Sequence, residues 1–520
     1  MTKSFITAVL AASTMLAGCN LAPTYVRPAG AIPATLPQGG AYPAAATDAR
    51  DVTAIGWRDF FVDPRLRDVI ALGLENNRNL RVAAANVLQA RAQYRIQRAD
   101  LVPSTSVQAG GTYTNNIFGA TGATAGGSGA GAGTGAGAGA GAGTGAGVTS
   151  GGSSNIEAYS VTAGFSQFEL DLFGRIRNLS RAAQEQYFAS AEAQRSTRIT
   201  LIAEIATAWL TMASDQEQLR LSRETLKTFE QTLKLTTAQF RVGVGSELEV
   251  RQAETNYQSA RNDIATLQTQ IARDQNAVNL LAGTTVAAEL LPTTFDGTSF
   301  TLDSLPGNLS SEALLRRPDV LQAEHQLIAQ NANIGAARAA LFPTISLTAT
   351  LGTISTALSG LFSGGSFTYT GTPGISLPLF DGGRLRGNVD YARASQQAAV
   401  STYEQTIQTA FREVADALAQ RGTIGEQVSA QTARANAATI AARLSDARFR
   451  AGVDSFLTTL DAQRTAYATQ QSLVTTRLTR ENNLIELYRS LGGGLADDPA
   501  APAETPRPAA SADTPSPAAR

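Results

Sequence analysis

The chain has 520 residues, 43% hydrophobic, 6% aromatic and 16% charged, with a formal net charge of −1. That balance lacks the basic face a nucleic-acid partner requires. A single histidine, His325, and a single cysteine, Cys19, leave no His-based metal cluster, no catalytic triad and no internal disulfide.

The N-terminus reads as an export signal. Lys3 supplies a positive start, and Phe5 to Met15 is mostly apolar or small, a run too short to span a bilayer. Leu16-Ala17-Gly18-Cys19 resembles the bacterial lipobox. That resemblance implies cleavage of a signal peptide, residues 1–18, and lipid on Cys19. Asn20 in place of aspartate then implies sorting to the outer membrane. Beyond it no run of about 20 apolar residues follows, and acyl chains on Cys19 would anchor without spanning.

Residues 19–62 form a Pro- and Ala-rich arm ending in Gly56-Trp57-Arg58-Asp59-Phe60-Phe61. Helical patterning starts at Asp63-Pro64, with Leu66, Val69, Ile70, Leu72 and Leu74 on one face. From here the chain repeats itself. Ala99-Asp100-Leu101-Val102-Pro103-Ser104 returns 240 residues later as Ala339-Ala340-Leu341-Phe342-Pro343-Thr344. Phe240-Arg241-Val242-Gly243-Val244-Gly245-Ser246 returns after 209 as Phe449-Arg450-Ala451-Gly452-Val453-Asp454-Ser455. Such a period is too long for a solenoid and marks a duplicated half-protein. Repeat 1 covers 63–283 and repeat 2 covers 312–494. An inter-repeat segment, 284–311, joins them, and 495–520 is a Pro/Ala-rich tail of disordered composition.

Each repeat opens with a helix, about Asn79 to Asp100 and Pro318 to Leu341. A period-two stretch follows each proline. In the second copy Ile345, Leu347, Ala349 and Leu351 alternate with Ser346, Thr348, Thr350 and Gly352. Val107, Ala109 and Tyr113 show the same pattern more weakly in the first. Second strands are read at Val161, Ala163, Phe165 and at Ile375, Leu377, Leu379. One apolar and one small polar face fit either an outer-membrane barrel strand or a half-buried soluble sheet. The exported, lipid-anchored context favours the membrane. Between the first pair of strands, residues 119–152 are almost wholly Gly, Ala, Ser and Thr. They read as an exposed disordered loop, and they account for the shortened second offset.

Two proline-free stretches follow, Gly174 to Phe240 and Gly383 to Phe449. Ile205, Met212, Leu219, Leu226, Leu233 and Phe240 recur every seven residues, a coiled-coil stripe. Returning helices carry Val250, Tyr257, Ile264, Ile271 and Val278, and Leu460, Tyr467, Val474 and Tyr488, the latter broken by Glu481. Each half is thus helix, strand, strand, long helix, returning helix. Four membrane strands cannot close a barrel, and open edges in lipid are costly, so a membrane reading requires several copies.

The chain resembles the TolC-like outer-membrane factors, in the lipidated OprM/NodT branch. The lipobox, Asp63-Pro64-Arg65-Leu66, Arg316-Arg317-Pro318-Asp319-Val320, Leu377-Pro378-Leu379-Phe380-Asp381-Gly382-Gly383 and Asp461-Ala462-Gln463-Arg464 carry the resemblance. It implies an α+β membrane protein, a homotrimer sharing a twelve-stranded outer-membrane barrel continued by a helical periplasmic barrel. It implies passive export of small molecules, with an inner-membrane pump of RND type and a periplasmic adaptor, the membrane fusion protein, as partners. Type I protein secretion is the alternative. Outer-membrane lipid is the remaining partner, and lipid on Cys19 the only attached group.

The family match places a periplasmic gate at Leu457 and Asp461, one turn apart on one helical face, an apolar ring and an acidic ring in a trimer. Arg450 and Arg464 match positions of ionic links; Asp461 and Arg464 at i,i+3 would otherwise be a solvated pair of little weight. The two turns, with Gly243, Gly245, Ser246 and Gly452, Asp454, Ser455, match adaptor-docking tips. No residues form an enzyme's site: His325 falls within a helix, and no glycine-rich loop carries the Lys-Ser/Thr of a phosphate cradle.

Overall fold

The computed structural model describes residues 20–33, 35–43, 55–114, 156–295, 300–302 and 311–493. The signal peptide, Cys19, the Gly/Ala loop 119–152 and the tail 495–520 lie outside them. The protein is mostly helical with one small sheet. Its elements are α1 (Pro64–Asn76), α2 (Arg78–Ala99), β1 (Ser106–Thr114), β2 (Ile156–Glu169), α3 (Arg175–Arg241) and α4 (Glu247–Ala282). The second copy supplies α5 (Pro318–Ala339), β3 (Thr344–Ser355), β4 (Phe367–Ser376), α6 (Arg384–Arg450) and α7 (Phe456–Ser490). The expected order holds in both copies, and α3 and α6 are each 67 residues long, a rise of about 100 Å. Among the described residues no helix is long and apolar enough to cross a membrane.

The chain divides into two compact units. The first comprises residues 1–25, 92–184 and 329–396. It holds an antiparallel sheet in the order β1-β2-β3-β4. Register places like with like: Val107 faces Ala163, Ala163 faces Leu351, Leu351 faces Tyr369, and Ile345 faces Ile375. One sheet face is therefore continuously apolar, and it is not a core: Val107, Leu351, Tyr369 and Ile375 are exposed. Beta strand β4 differs from the sequence reading. It starts at Phe367 and Tyr369 and ends at Ser376, so Ile375 belongs to it and Leu377 and Leu379 do not. The ladder stops where Ser376 meets Thr344; the next partner would be Pro343, which has no N–H to donate. In β2 a bulge between Phe165 and Phe168 turns Gln167 to φ 53°, and its N–H reaches Thr348 Oγ1 at 3.0 Å. In the same unit the arm begins packed. Asn178 Nδ2 donates to Asn20 Oδ1 at 3.0 Å and Asn331 Nδ2 to the Pro23 carbonyl at 2.7 Å.

The second unit comprises 26–91, 185–328 and 397–520. Its core explains the arm's aromatic motif. Trp57, Phe60 and Phe61 are buried with Leu66, Ile70, Ile205, Trp209, Leu484 and Tyr488. Phe60 stacks on Tyr488 with ring centroids 4.0 Å apart. Asp63 caps α1, accepting from the Arg65 and Leu66 N–H groups, with Pro64 at the first helical position. Glu481, the break in the apolar heptad, is 1% exposed and serves as an anchor. Its carboxylate accepts from the Phe300 N–H at 3.3 Å and takes Arg480 at 2.7 Å. It thereby fixes the strand segment whose Thr301 bridges Phe61. The heptad stripe of α3 is buried at Ile205, Met212 and Leu219 and ends exposed at Phe240. On α4 the stripe is half-buried at Val250, Tyr257, Ile264 and Ile271 and fully buried at Val278, while towards the turn the buried positions are Ala253 and Ala260, three residues beyond Val250 and Tyr257.

Candidate functional site: the hairpin tips

Two turns join the long helices in the second unit. Alpha helix α3 ends at Gly243, φ 81°, and α6 at Gly452, φ 74°; both stop the helix by entering the left-handed region that glycine adopts without strain. The Gly243 N–H donates to the Phe240 carbonyl at 3.0 Å and the Gly452 N–H to Phe449 at 2.9 Å. Ser246 caps α4 in a full capping box with Glu249, and Ser455 caps α7 through the Thr458 N–H at 3.3 Å. Gly245 is a different case. Its φ is ordinary, and a Cβ there would meet Gln239 Cβ at 3.1 Å, so a small adjustment admits a side chain. The second copy does so with Asp454.

That aspartate has a partner the sequence did not reveal. Arg448 Nε and Nη2 donate to Asp454 at 2.8 and 2.9 Å, a two-pronged clasp across the turn. The bonds from Arg448 hold the Asp454 carboxyl below its usual range. Six residues separate the pair, a spacing no helical rule flags. Between the hairpins, Phe456, Leu460 and Ala253 are buried with Phe449 and Leu233 packed against them. Val242, Val244, Leu248, Val453 and Leu457 stay exposed. The turns are thus rigid, capped and apolar at the surface, which suits contact with another protein.

Leu457 is 62% exposed one turn from the buried Leu460, and Asp461 and Arg464 are also exposed. Asp461 and Arg464 form no ion pair among the described residues, and Arg450 turns back to Asp446 at 2.8 Å. The structure therefore gathers Leu457 and Asp461 on one exposed face but does not join either arginine to Asp461 within one chain. A further constellation lies higher on the hairpins. Tyr467 of α7 meets Ser222 of α3 and Asp263 of α4, and Gln463 Nε2 reaches Thr232 Oγ1 at 3.3 Å. The second hairpin is pinned to the first by polar contacts that apolar periodicity does not expose.

Residues 69–284 and 309–493 match the family described as outer membrane efflux protein. The chain belongs to the outer membrane efflux protein family. The chain is 43% identical over 497 residues to the probable efflux pump outer membrane protein TtgC of Pseudomonas putida, covering 95% of this chain and 96% of that one. It is 38% identical to the cation efflux system protein CusC of Escherichia coli O157:H7, over 92% of this chain and 96% of that protein. Among solved structures, a membrane protein from Pseudomonas aeruginosa superposes at TM-score 0.80 with 37% identity, over 91% of this chain and 100% of the other. The open state of the Neisseria gonorrhoeae MtrE outer membrane channel gives 0.79 at 34%, over 92% and 99%.

This outer membrane efflux protein is an export channel component and not an enzyme. The relatives are named for efflux, so secretion of proteins is not favoured.

Proposed function

We propose that three copies of this chain form an outer-membrane duct, pooling twelve strands in one barrel and their long helices in a periplasmic tunnel. The observation that carries the reading is the sheet. Among the described residues its edge strands β1 and β4 lack outer partners, and its apolar face is exposed. In lipid every backbone group must be paired, and only closure through further copies pairs those edges. A second feature supports it. On α6, Ala433, Ala437, Ile440, Leu444 and Ala447 follow a strict four-three spacing and are all exposed, a coiled-coil seam fit for a helix of another copy.

In this reading lipid on Cys19 anchors the arm. An inner-membrane pump of RND type drives small molecules, and a periplasmic adaptor docks on Val242, Gly243, Gly245, Ser246, Gly452, Asp454 and Ser455. Rings of Leu457 and Asp461 narrow the periplasmic end. Arg450 and Arg464 face partners on neighbouring copies, since neither meets Asp461 in its own chain. Single-channel recording tests the gate: Asp461→Ala with Arg450→Ala raises conductance at rest. Unchanged conductance removes these residues from it. Mass measurement of the detergent-extracted complex tests the copy number, and a monomer would defeat the shared barrel.

A further inference from the structure

We propose that Asp215 of α3 and Asp274 of α4 form a proton-binding site, and that their shared proton ties the two helices of the first hairpin together. Asp274 is 7% exposed. Its Oδ1 accepts from Gln270 Nε2 at 2.9 Å. Its Oδ2 is buried and has no donor among the described residues. A buried carboxylate oxygen without a donor is costly. Asp215, half-buried on the facing helix, is within hydrogen-bonding reach. The donor Oδ2 lacks is therefore a proton carried on the Asp215 carboxyl. Two carboxylates this close cannot both ionise without repulsion, so one proton serves both.

The surroundings supply no competing charge. Burial first, then the Asp274 charge and the bond between the two, raise Asp215 to about 7, and no other ionised group acts on it. On α3, Glu217 and Glu224 are engaged by Arg220. On α4, Asp263 is engaged by Tyr467, and Arg273 points to solvent. On α7, Arg480 and Glu481 pair with each other. On α1, Arg65 is held by Asp63, and neither Arg67, Asp68 nor Glu75 reaches Asp215.

The second copy is the internal comparison. At the matching positions, 209 residues on, stand Ile424 and Asn483, both buried. Asn483 Nδ2 donates to the Ala417 carbonyl at 2.9 Å and Gln420 Oε1 at 3.1 Å, bonds that no pH change removes. At this position only the first hairpin carries a link that depends on protons. The sign follows from linkage. Asp215 in the fold binds its proton more tightly than in an open helix, where 3.8 applies. The link is complete below about 3.8, weakens relative to the open state as pH rises, and is gone above about 7. The first hairpin is tighter in acid.

Hydrogen exchange of the full-length protein in detergent reads this directly. Opening at residues 210–219, taken relative to the matched 419–428, is expected to rise roughly tenfold from pH 6 to pH 8. Asp215→Asn supplies an amide donor to Asp274 Oδ2 and abolishes that rise; Asp274→Asn serves the same purpose if the first variant fails to fold. Infrared titration should show a protonated carboxyl band lost with a midpoint near 7 in the wild type and missing in Asp215→Asn. A constant exchange ratio, or a band that titrates near 3.8, overturns the site. So does a midpoint that moves with magnesium or chelator, which would make the ligand a metal cation.

Discussion

The Tyr467 hydroxyl donates to Asp263 Oδ2 over 3.0 Å, joining the returning helices of the two copies. Ser222 Oγ lies 2.8 Å from the same hydroxyl, and the Phe229 ring meets the Tyr467 ring edge-on at 6.5 Å. Burial pushes the Tyr467 hydroxyl up to about 12, so it stays a donor throughout the physiological range. Tyr467→Phe keeps the ring contact and deletes the pin. It is expected to cost about 0.5–1.5 kcal/mol and to lengthen open dwell times in single-channel records. If both melting and dwell times match the wild type, the pin carries no weight.

The Arg448–Asp454 clasp makes the second tip sensitive to acid. Asp454 is held below 3.8 by Arg448, so the clasp contributes fully above that value and is lost as pH falls through the lowered one. Asp454→Asn should mimic strong acid at neutral pH, and it should weaken binding of a periplasmic adaptor while Gly245→Asp in the first copy is tolerated. Surface plasmon resonance against the adaptor would read both. Because Arg448 is exposed and Asp454 only half-buried, added salt should weaken the clasp in the wild type and leave Asp454→Asn unaffected.

Much of this fold is legible because its punctuation is chemical. Pro103, Pro343, Gly243 and Gly452 end helices for reasons of backbone geometry, and Ser246 and Ser455 start the next ones. The limits of β4 were less so. Alternation continues through Leu377 and Leu379, and only pairing with β3 ends the strand. The small-residue seam of Ala253 and Ala260 is hidden because alanine fits buried and exposed positions alike. Glu481 reads as a fault in a stripe until Phe300, far away in sequence, is seen to need its carboxylate. The polar links Arg448–Asp454, Tyr467–Asp263 and Asp215–Asp274 follow no fixed spacing, since each is set by how helices meet.

Gly164 is where the two hairpins of the sheet are stitched. A Cβ there would lie 2.1 Å from the Ala349 carbonyl oxygen and 2.7 Å from Thr350 Cα. Gly352 is matched, with the Val161 carbonyl oxygen at 2.1 Å. These neighbours are backbone and cannot rotate away. Gly164→Ala should force β2 and β3 apart, whereas Gly371→Ala, with nothing within 4 Å, should be neutral. Heat-resistant migration of the assembled protein on gels distinguishes them, and equal behaviour would contradict this register.

Arg317 is the sharpest stability test. It is buried at the start of α5 and its guanidinium serves three elements. It donates to Asp319 at 2.7 Å, to Glu413 of α6 at 2.9 Å and to the Ser490 carbonyl at the end of α7 at 2.7 Å. Arg489 adds a longer contact to Glu413 at 3.4 Å. Arg317→Ala takes the nearer donor from Glu413, leaving it the longer Arg489 contact, and removes the donor to the Ser490 carbonyl. Losing the buried partner of an ion pair costs at most about 3–5 kcal/mol, and less here because Asp319 and Glu413 are partly exposed. Arg317→Lys keeps the charge but lacks the fork that spans Asp319 and Glu413, so it should lose less than alanine yet fall clearly below the wild type. Double replacement with Glu413→Gln should recover part of the alanine loss, because the uncompensated charge goes with it. Denaturant unfolding followed by circular dichroism measures all three, and an alanine variant as stable as the wild type would show that the three helices hold without this hub.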